Sequence, residues 1–167
     1  MAPIYRAAES RGIFVIGITL GGYASSTRRE GRRAVDYVLE TRIELQHFGV
    51  EKFVSFGWSS GGLGVISDLQ DSRCKAGVRK ALAAGPFGII DDAFGNESAL
   101  GIGYSTLKQP IAIYQGMEDR VCTPAHGHFL ADRLENAEFI LLDDQGHLTL
   151  IYDYADNMVN KALSYFD

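Results

Sequence analysis

Ser59 stands at the centre of a G-x-S-x-G run at positions 57–61, and its type and spacing suit nucleophilic chemistry. The strand-favouring run Phe53–Phe56 precedes it, and Gly61–Leu69 can form a helix. Such a run between strand and helix is typical of a turn so sharp that its serine takes a strained backbone conformation. We expect side chains two positions before or after the serine to collide, which explains glycine at both places. The N–H of Ser60 is then expected to bind an oxyanion.

Asp119 and His147 each follow a pattern of apolar residues that predicts a buried strand, Ile111–Tyr114 and Glu138–Leu142 respectively. The carboxyl ends of parallel strands meet at one edge of a sheet, so both side chains are expected near Ser59. A serine hydroxyl is a poor nucleophile until a neutral imidazole takes its proton, and a carboxylate must hold that imidazole in the right tautomer. The residues therefore predict a triad of nucleophile, acid and base.

Two further carboxylates are alternatives for the acid. Asp91 and Asp92 follow the segment that ends at Gly85, which contains the predicted strand Val78–Ala84. The order serine, acid, histidine along the chain is satisfied by either choice.

These motifs resemble those of the α/β-hydrolase family, in particular its small esterase-like and proline-iminopeptidase-like members. Residues 16–26 resemble the family's "D-x-P-G-Y-G-x-S" segment after the fourth strand, and residues 57–62 resemble its nucleophile turn. Residues 116–124 resemble the acid loop, "G-x-x-D-x-x-x-P", and Gly146-His147 resembles the catalytic histidine. The resemblance implies Ser59, Asp119 and His147 as catalytic residues, with Gly21, Gly22 and Trp58 near the substrate.

The chain also departs from the family pattern. Nothing before Ile13 resembles the His-Gly strand that completes the family's oxyanion hole, and residues 2–10 read like the end of a helix. Between Pro86 and Lys108 there is little room for the cap that family members usually insert. The sequence therefore resembles a hydrolase shortened at its start and in its cap.

Alternating strand and helix patterns predict an α/β fold, a mostly parallel sheet with helices on both faces, over a single domain spanning residues 1–167. Periodicity and capping predict the remaining elements. These are strands at Ile13–Ile18 and Val78–Ala84, helices at Arg32–Phe48, Pro124–Leu134 and Leu148–Tyr165, and a short element of unassigned type at Ser98–Ser105.

Composition limits the classes of function. The chain has 167 residues, of which 46% are hydrophobic, an ordinary composition for a globular domain. Its net charge of −5 argues against nucleic acid and anionic membranes as partners. The two cysteines and the lack of a signal pattern favour the cytoplasm. No cofactor is expected, and no metal, because His126 and His128 are two apart and would face different ways on a helix.

Two hypotheses about function follow. The first is a serine hydrolase that cleaves a small ester, thioester or amide through an acyl-enzyme on Ser59. A serine nucleophile argues against haloalkane dehalogenase and epoxide hydrolase chemistry, which needs a carboxylate. The alternative is a catalytically weak or inactive remnant of the fold that serves as a binding or scaffold domain. The run Ile13–Ile18 is expected either to pair with Phe53–Phe56 or to be covered by a second copy of the chain.

Overall fold

The computed structural model describes residues 2–18, 36–69, 74–80 and 103–166. Its helices are α1 (Ala2–Glu9), α2 (Asp36–His47), α3 (Gly62–Asp68), α4 (Pro124–Ala131), α5 (Thr149–Asp153) and α6 (Ala155–Leu163). Its strands are β1 (Phe53–Gly57), β2 (Cys74–Lys80), β3 (Ile111–Gly116) and β4 (Ala137–Leu142). Short 3₁₀ turns span Ser59–Gly61 and Tyr104–Thr106.

The four strands form one parallel sheet in the order β1-β2-β3-β4. Gly57 at the end of β1 lies opposite Arg79, and Gly116 at the end of β3 lies opposite Leu142. The loops that follow β1, β3 and β4 therefore leave from the same edge of the sheet.

Strand β3 shows why the sheet needs helices on both faces. All six of its residues are buried, and successive side chains point to opposite faces. Ile111 and Ile113 pack with residues of α3 and α4 on one face, whereas Ala112 and Tyr114 pack with residues of α1, α5 and α6 on the other. The predicted α/β architecture is confirmed, and the continuous apolar run follows from burial on both faces.

Most predicted elements are present with small shifts in their ends. The helix from Pro124 begins as predicted, with Thr123 at its N-cap position and proline in its first turn, although the threonine side chain makes no capping bond. Strand β2 begins at Cys74, four residues before the predicted start, and the predicted residues 81–84 lie outside the described ranges. The predicted long helix Leu148–Tyr165 is two helices that meet at Tyr154, where φ is −114° and ψ is 13°.

The predicted strand Ile13–Ile18 is wrong. Helix α1 ends at Glu9, and the turn after it contains Gly12, which has φ +68°. The N–H of Ile13 donates to the carbonyl of Ala8 at 3.0 Å. The segment that follows is not a strand and does not pair with β1, which is an edge of the sheet among the described residues. Ile13 instead packs into the cluster beneath α1 and α6. An apolar run becomes a strand only where a neighbour completes its hydrogen bonds, and the sequence does not show that neighbour.

Within the described residues, none of the helices has the length and apolar character needed to cross a membrane.

Candidate functional site

Ser59 occupies a strained turn directly after β1. Its φ is +59°, in the left-handed region that residues with side chains seldom adopt. A Cβ atom at Gly57 would lie 2.4 Å from the carbonyl oxygen of Gly61 and 2.7 Å from Cγ2 of Val65. The predicted need for glycine at position 57 is therefore confirmed, because the backbone of Gly61 crosses directly over it.

Gly61 does not share that constraint. A Cβ atom placed there would meet nothing within 4 Å, so the predicted collision on this side of the serine is wrong. The two glycines differ in the direction of the close contact. A side chain at position 57 would point at the backbone of Gly61, whereas a side chain at position 61 would point into open space.

Ser60 lies in the 3₁₀ turn that leads into α3, and the N–H of Gly61 donates to the carbonyl of Trp58 at 3.1 Å. The first N–H groups of a helical segment have no acceptor within it and carry the positive end of its dipole. The backbone at Ser60 is thus of the kind that stabilises an anion.

Asp119 is held rigidly in the loop after β3. The residue is 2% exposed, and its Oδ1 accepts hydrogen bonds from the N–H groups of Val121 at 2.9 Å and Cys122 at 2.8 Å. Its Oδ2 lies 3.0 Å from Nδ1 of His147. Two backbone donors fix the rotamer of the carboxylate, so one oxygen is directed at the imidazole.

The loops after β3 and β4 are bonded to each other. The N–H of Met117 donates to the carbonyl of Leu142 at 2.9 Å, and that of Glu118 donates to the carbonyl of Gln145 at 3.0 Å. A Cβ atom at Gly116 would lie 2.1 Å from the carbonyl oxygen of Gln145. Glycine at position 116 therefore permits the contact that brings the two loops, and hence the carboxylate and the imidazole, together.

Gln115 supports the acid loop and was not predicted from the sequence. Its side chain is fully buried, and its Nε2 donates to the carbonyls of Gly116 at 2.9 Å and Cys122 at 2.8 Å. The amide thus joins both ends of the loop that carries Asp119. The available signal is a glutamine placed directly after the buried run Ile111–Tyr114, where a polar side chain needs a specific partner.

Trp58 joins the serine turn to the histidine loop. Its Nε1–H donates to the carbonyl of His147 at 3.3 Å, and its ring centroid lies 5.2 Å from that of the imidazole. Between the two described residues Ser59 and His147, however, no hydrogen bond links the hydroxyl to the imidazole. The structure therefore places the serine, the histidine and the aspartate at one sheet edge, with the aspartate–histidine contact formed.

No protein-family model matches the sequence, and no curated protein is similar to it. Solved structures do match the fold. A 2-hydroxy-6-oxo-6-phenylhexa-2,4-dienoate hydrolase from Rhodococcus sp. strain RHA1 superimposes with a TM-score of 0.74 and 17% identity over 99% of this chain and 84% of that one. A meta-cleavage product hydrolase from Pseudomonas fluorescens IP01 superimposes with a TM-score of 0.72 and 17% identity, over 99% of this chain and 83% of that one. A predicted CIB-like hydrolase from Thermoplasma acidophilum superimposes with a TM-score of 0.70 and 18% identity, over 98% of this chain and 76% of that one.

This is the α/β-hydrolase fold. The chain is shorter than each of these α/β hydrolases, as the resemblance in its motifs implies.

Other predicted site residues lie outside this arrangement. Gly21, Gly22 and the alternative acids Asp91 and Asp92 fall outside the described ranges. His126 lies near enough to the acid for charge to act on it: burial lowers the pKa of His126, and the charge of Asp119 opposes that shift. His147 lies within hydrogen-bonding distance of Asp119.

Proposed function

We propose that the chain is a serine hydrolase that cleaves a small ester, thioester or amide through an acyl-enzyme on Ser59. The observation that carries the proposal is the buried Asp119–His147 pair, at 3.0 Å, at the same sheet edge as a serine with φ +59°. Strained serines and oriented imidazoles are costly to build and are concentrated at active sites.

In the first half of the reaction, the Ser59 hydroxyl attacks the substrate carbonyl while Nε2 of His147 takes its proton. Asp119 accepts the Nδ1–H, which fixes the tautomer that leaves a lone pair on Nε2. The backbone N–H of Ser60 donates to the oxyanion. The proton on Nε2 then passes to the leaving alcohol, thiol or amine, and the acyl-enzyme remains.

In the second half, water takes the place of the leaving group. Nε2 removes a proton from the water as it attacks the acyl carbon, and returns that proton to Ser59 when the acid product leaves. No metal or cofactor enters this sequence of steps. We further propose Trp58, Gly21 and Gly22 as substrate-binding residues.

The unformed bond between Ser59 and His147 favours a second candidate. The chain is then a catalytically weak or inactive domain of the same fold that binds a partner or ligand. Hydrogen bonds between a nucleophile and its base are often long without substrate and shorten in the Michaelis complex. The absence of this bond in the free protein is therefore also compatible with the first proposal. Only an activity measurement separates the two.

The comparisons are consistent with hydrolysis but support no particular substrate. The three solved structures named above are described as hydrolases, two of them of meta-cleavage products or a phenylhexadienoate, and at 17–18% identity they share the fold alone with this chain. We therefore propose the substrate by reaction type, as a small molecule with a cleavable acyl group, and a cytoplasmic location.

We also propose that the protein self-associates, through exposed apolar side chains instead of an unpaired strand. Because Ile13–Ile18 is not a strand, the reason is the exposed apolar side chains Phe14, Ile43 and Phe48, of which the two phenylalanines are in ring contact. Light scattering at micromolar concentration tests it, and a monodisperse monomer would contradict it.

The deciding experiment is hydrolysis of p-nitrophenyl acetate and butyrate by the wild type, Ser59→Ala and a matched control, Ser164→Ala. Ser164 lies at the end of α6, where its hydroxyl donates to the carbonyl of Lys161. We expect Ser59→Ala to lose activity on the order of 10⁴-fold or more and the control to keep it. A folded wild type without activity would favour the binding domain, and full activity in Ser59→Ala would contradict the nucleophile.

A further inference from the structure

Cys122 lies beside the acid–histidine pair, and the proposed reaction makes no use of it. One donor atom from each of Asp119, Cys122 and His147 lies within 4.8 Å of the other two. The cysteine is fully buried and forms no disulfide. Thiolate, imidazole and carboxylate are the three ligand types that proteins use for Zn²⁺.

We propose that these three residues form a binding site for a thiophilic divalent cation, Zn²⁺ in the first place, and that its occupancy switches the acid–histidine pair off. Bond lengths of 2.0–2.3 Å in a tetrahedral site put ligand atoms about 3.2–3.7 Å apart. Nδ1 of His147 and Oδ2 of Asp119 are already 3.0 Å apart. A closing movement of about 1 Å at the thiol completes the set, with water as the fourth ligand.

Hydrogen bonds already hold two of the three ligand residues, Asp119 and Cys122, in place. The N–H of Cys122 donates to Oδ1 of Asp119, and the Gln115 amide donates to the carbonyl of Cys122. Hydrogen bonds of this kind, one step removed from the metal, orient ligands and contribute to affinity. The side chain of His147 is 16% exposed and that of Asp119 is fully buried, so the cation enters from the histidine side.

Coordination through Nδ1 is incompatible with the proposed catalysis. The cation takes the place of the Nδ1 proton, so the neutral imidazole carries its proton on Nε2 and has no lone pair there for Ser59. The thiol proton of Cys122 leaves to solvent as the thiolate binds. This inhibition rests on the proposed function, whereas the binding of the metal does not.

The test uses Co²⁺ as a spectroscopic substitute for Zn²⁺, on the reduced full chain in a phosphine reductant. The chain has only two cysteines, so a thiolate-to-Co²⁺ charge-transfer band can come from Cys122 or Cys74 alone. Cys74 is also buried and outside any disulfide, but it begins β2 and packs in the cluster around α3 and α4. Cys74→Ala is therefore the matched control for Cys122→Ala, with Cys122→Ser as a second variant of the site.

We expect the band in the wild type and Cys74→Ala, its loss in Cys122→Ala and Cys122→Ser, and displacement by Zn²⁺. Zn²⁺ inhibition of ester hydrolysis should weaken by at least about tenfold in the Cys122 variants. The proposal is overturned if the wild type at saturating Co²⁺ shows no thiolate band, or if the band survives in a folded Cys122→Ala. A band without any ester hydrolysis would uphold the metal site and contradict the proposed function instead.

Discussion

The loop that carries Asp119 and the turn that carries Ser59 lie at the same edge of the sheet, but their side chains are held in different ways. Asp119 accepts two backbone hydrogen bonds and contacts an imidazole, and the Gln115 amide joins the two ends of its loop. Ser59 is fixed by its backbone, through φ +59° and the close approach of Gly57 to Gly61. Between the described residues Ser59 and His147, no hydrogen bond joins the hydroxyl to the imidazole.

The comparison distinguishes contacts that packing forms in the free protein from a contact that we expect to form only when substrate binds. The acid–histidine side is organised by hydrogen bonds that need no ligand, so its geometry should persist in the free protein. On the nucleophile side, we expect the contact between the Ser59 hydroxyl and His147 to form when a substrate binds. The predictions that follow test each side separately.

The largest effect is expected from Asp119→Asn. The amide stabilises the wrong imidazole tautomer, so kcat for p-nitrophenyl butyrate should fall on the order of 10⁴-fold with the fold intact. Asp143→Asn, an exposed acid in the histidine loop, is the control and should retain activity. A larger loss from Asp92→Asn than from Asp119→Asn would transfer the role of acid to the rival.

Gly57→Ala and Gly61→Ala test the backbone of the serine turn. A methyl group at position 57 meets the backbone of Gly61 and the side chain of Val65, so the free energy of unfolding should fall by about 3 kcal/mol. At position 61 it meets nothing, and stability should change by less than about 1 kcal/mol. Urea denaturation measures both. Equal losses would show that the turn is not held by this one contact.

Gln115→Met tests the support of the acid loop. The change keeps the length of the side chain but leaves the carbonyls of Gly116 and Cys122 without their amide donor. Misplacement of Asp119 should lower kcat about ten- to a hundredfold with KM little changed, because the affected interaction acts in the transition state. Gln46→Met, exposed on α2, is the control. An unchanged kcat in the folded variant would show that the backbone bonds alone position the acid.

Trp58→Phe is expected to have the smallest effect. It removes the hydrogen bond to the carbonyl of His147 and keeps an aromatic ring beside the imidazole. One such bond contributes about 0.5–1.5 kcal/mol, so kcat should fall by no more than about tenfold. A loss as large as that of Asp119→Asn would mean that the position of His147 depends on Trp58 in the serine turn, and not mainly on the acid loop.

The local pattern of apolar and capping residues predicts much of this fold, as individual strands and helices show. The runs at β1, β3 and β4 are short and apolar, and Thr123-Pro124 marks the start of α4. Strand β2 was harder, because Lys75, Arg79 and Lys80 interrupt its apolar pattern. The run Ile13–Ile18 looked like a strand because β pattern alone does not say whether a neighbour is present.

The positions of the serine, the acid and the histidine followed from strand ends and chain order, whereas their supporting contacts did not. Gln115 and Cys122 are seven residues apart and meet only because the acid loop folds back on β3. The contact between Cys122 and the acid–histidine pair depends on the same turn. Sequence periodicity carries no information on loop closure of this kind, so neither residue could be assigned a role before the structure.

The central claim is that His147 activates Ser59, and covalent labelling by a fluorophosphonate tests it most directly. The labelled peptide is identified by mass spectrometry, and labelling rates are compared between the wild type and a folded His147→Ala. We expect the label on Ser59, with a rate that falls about 10²–10⁴-fold without the imidazole. No label at Ser59 in the folded wild type, or the same rate in both proteins, would contradict the account.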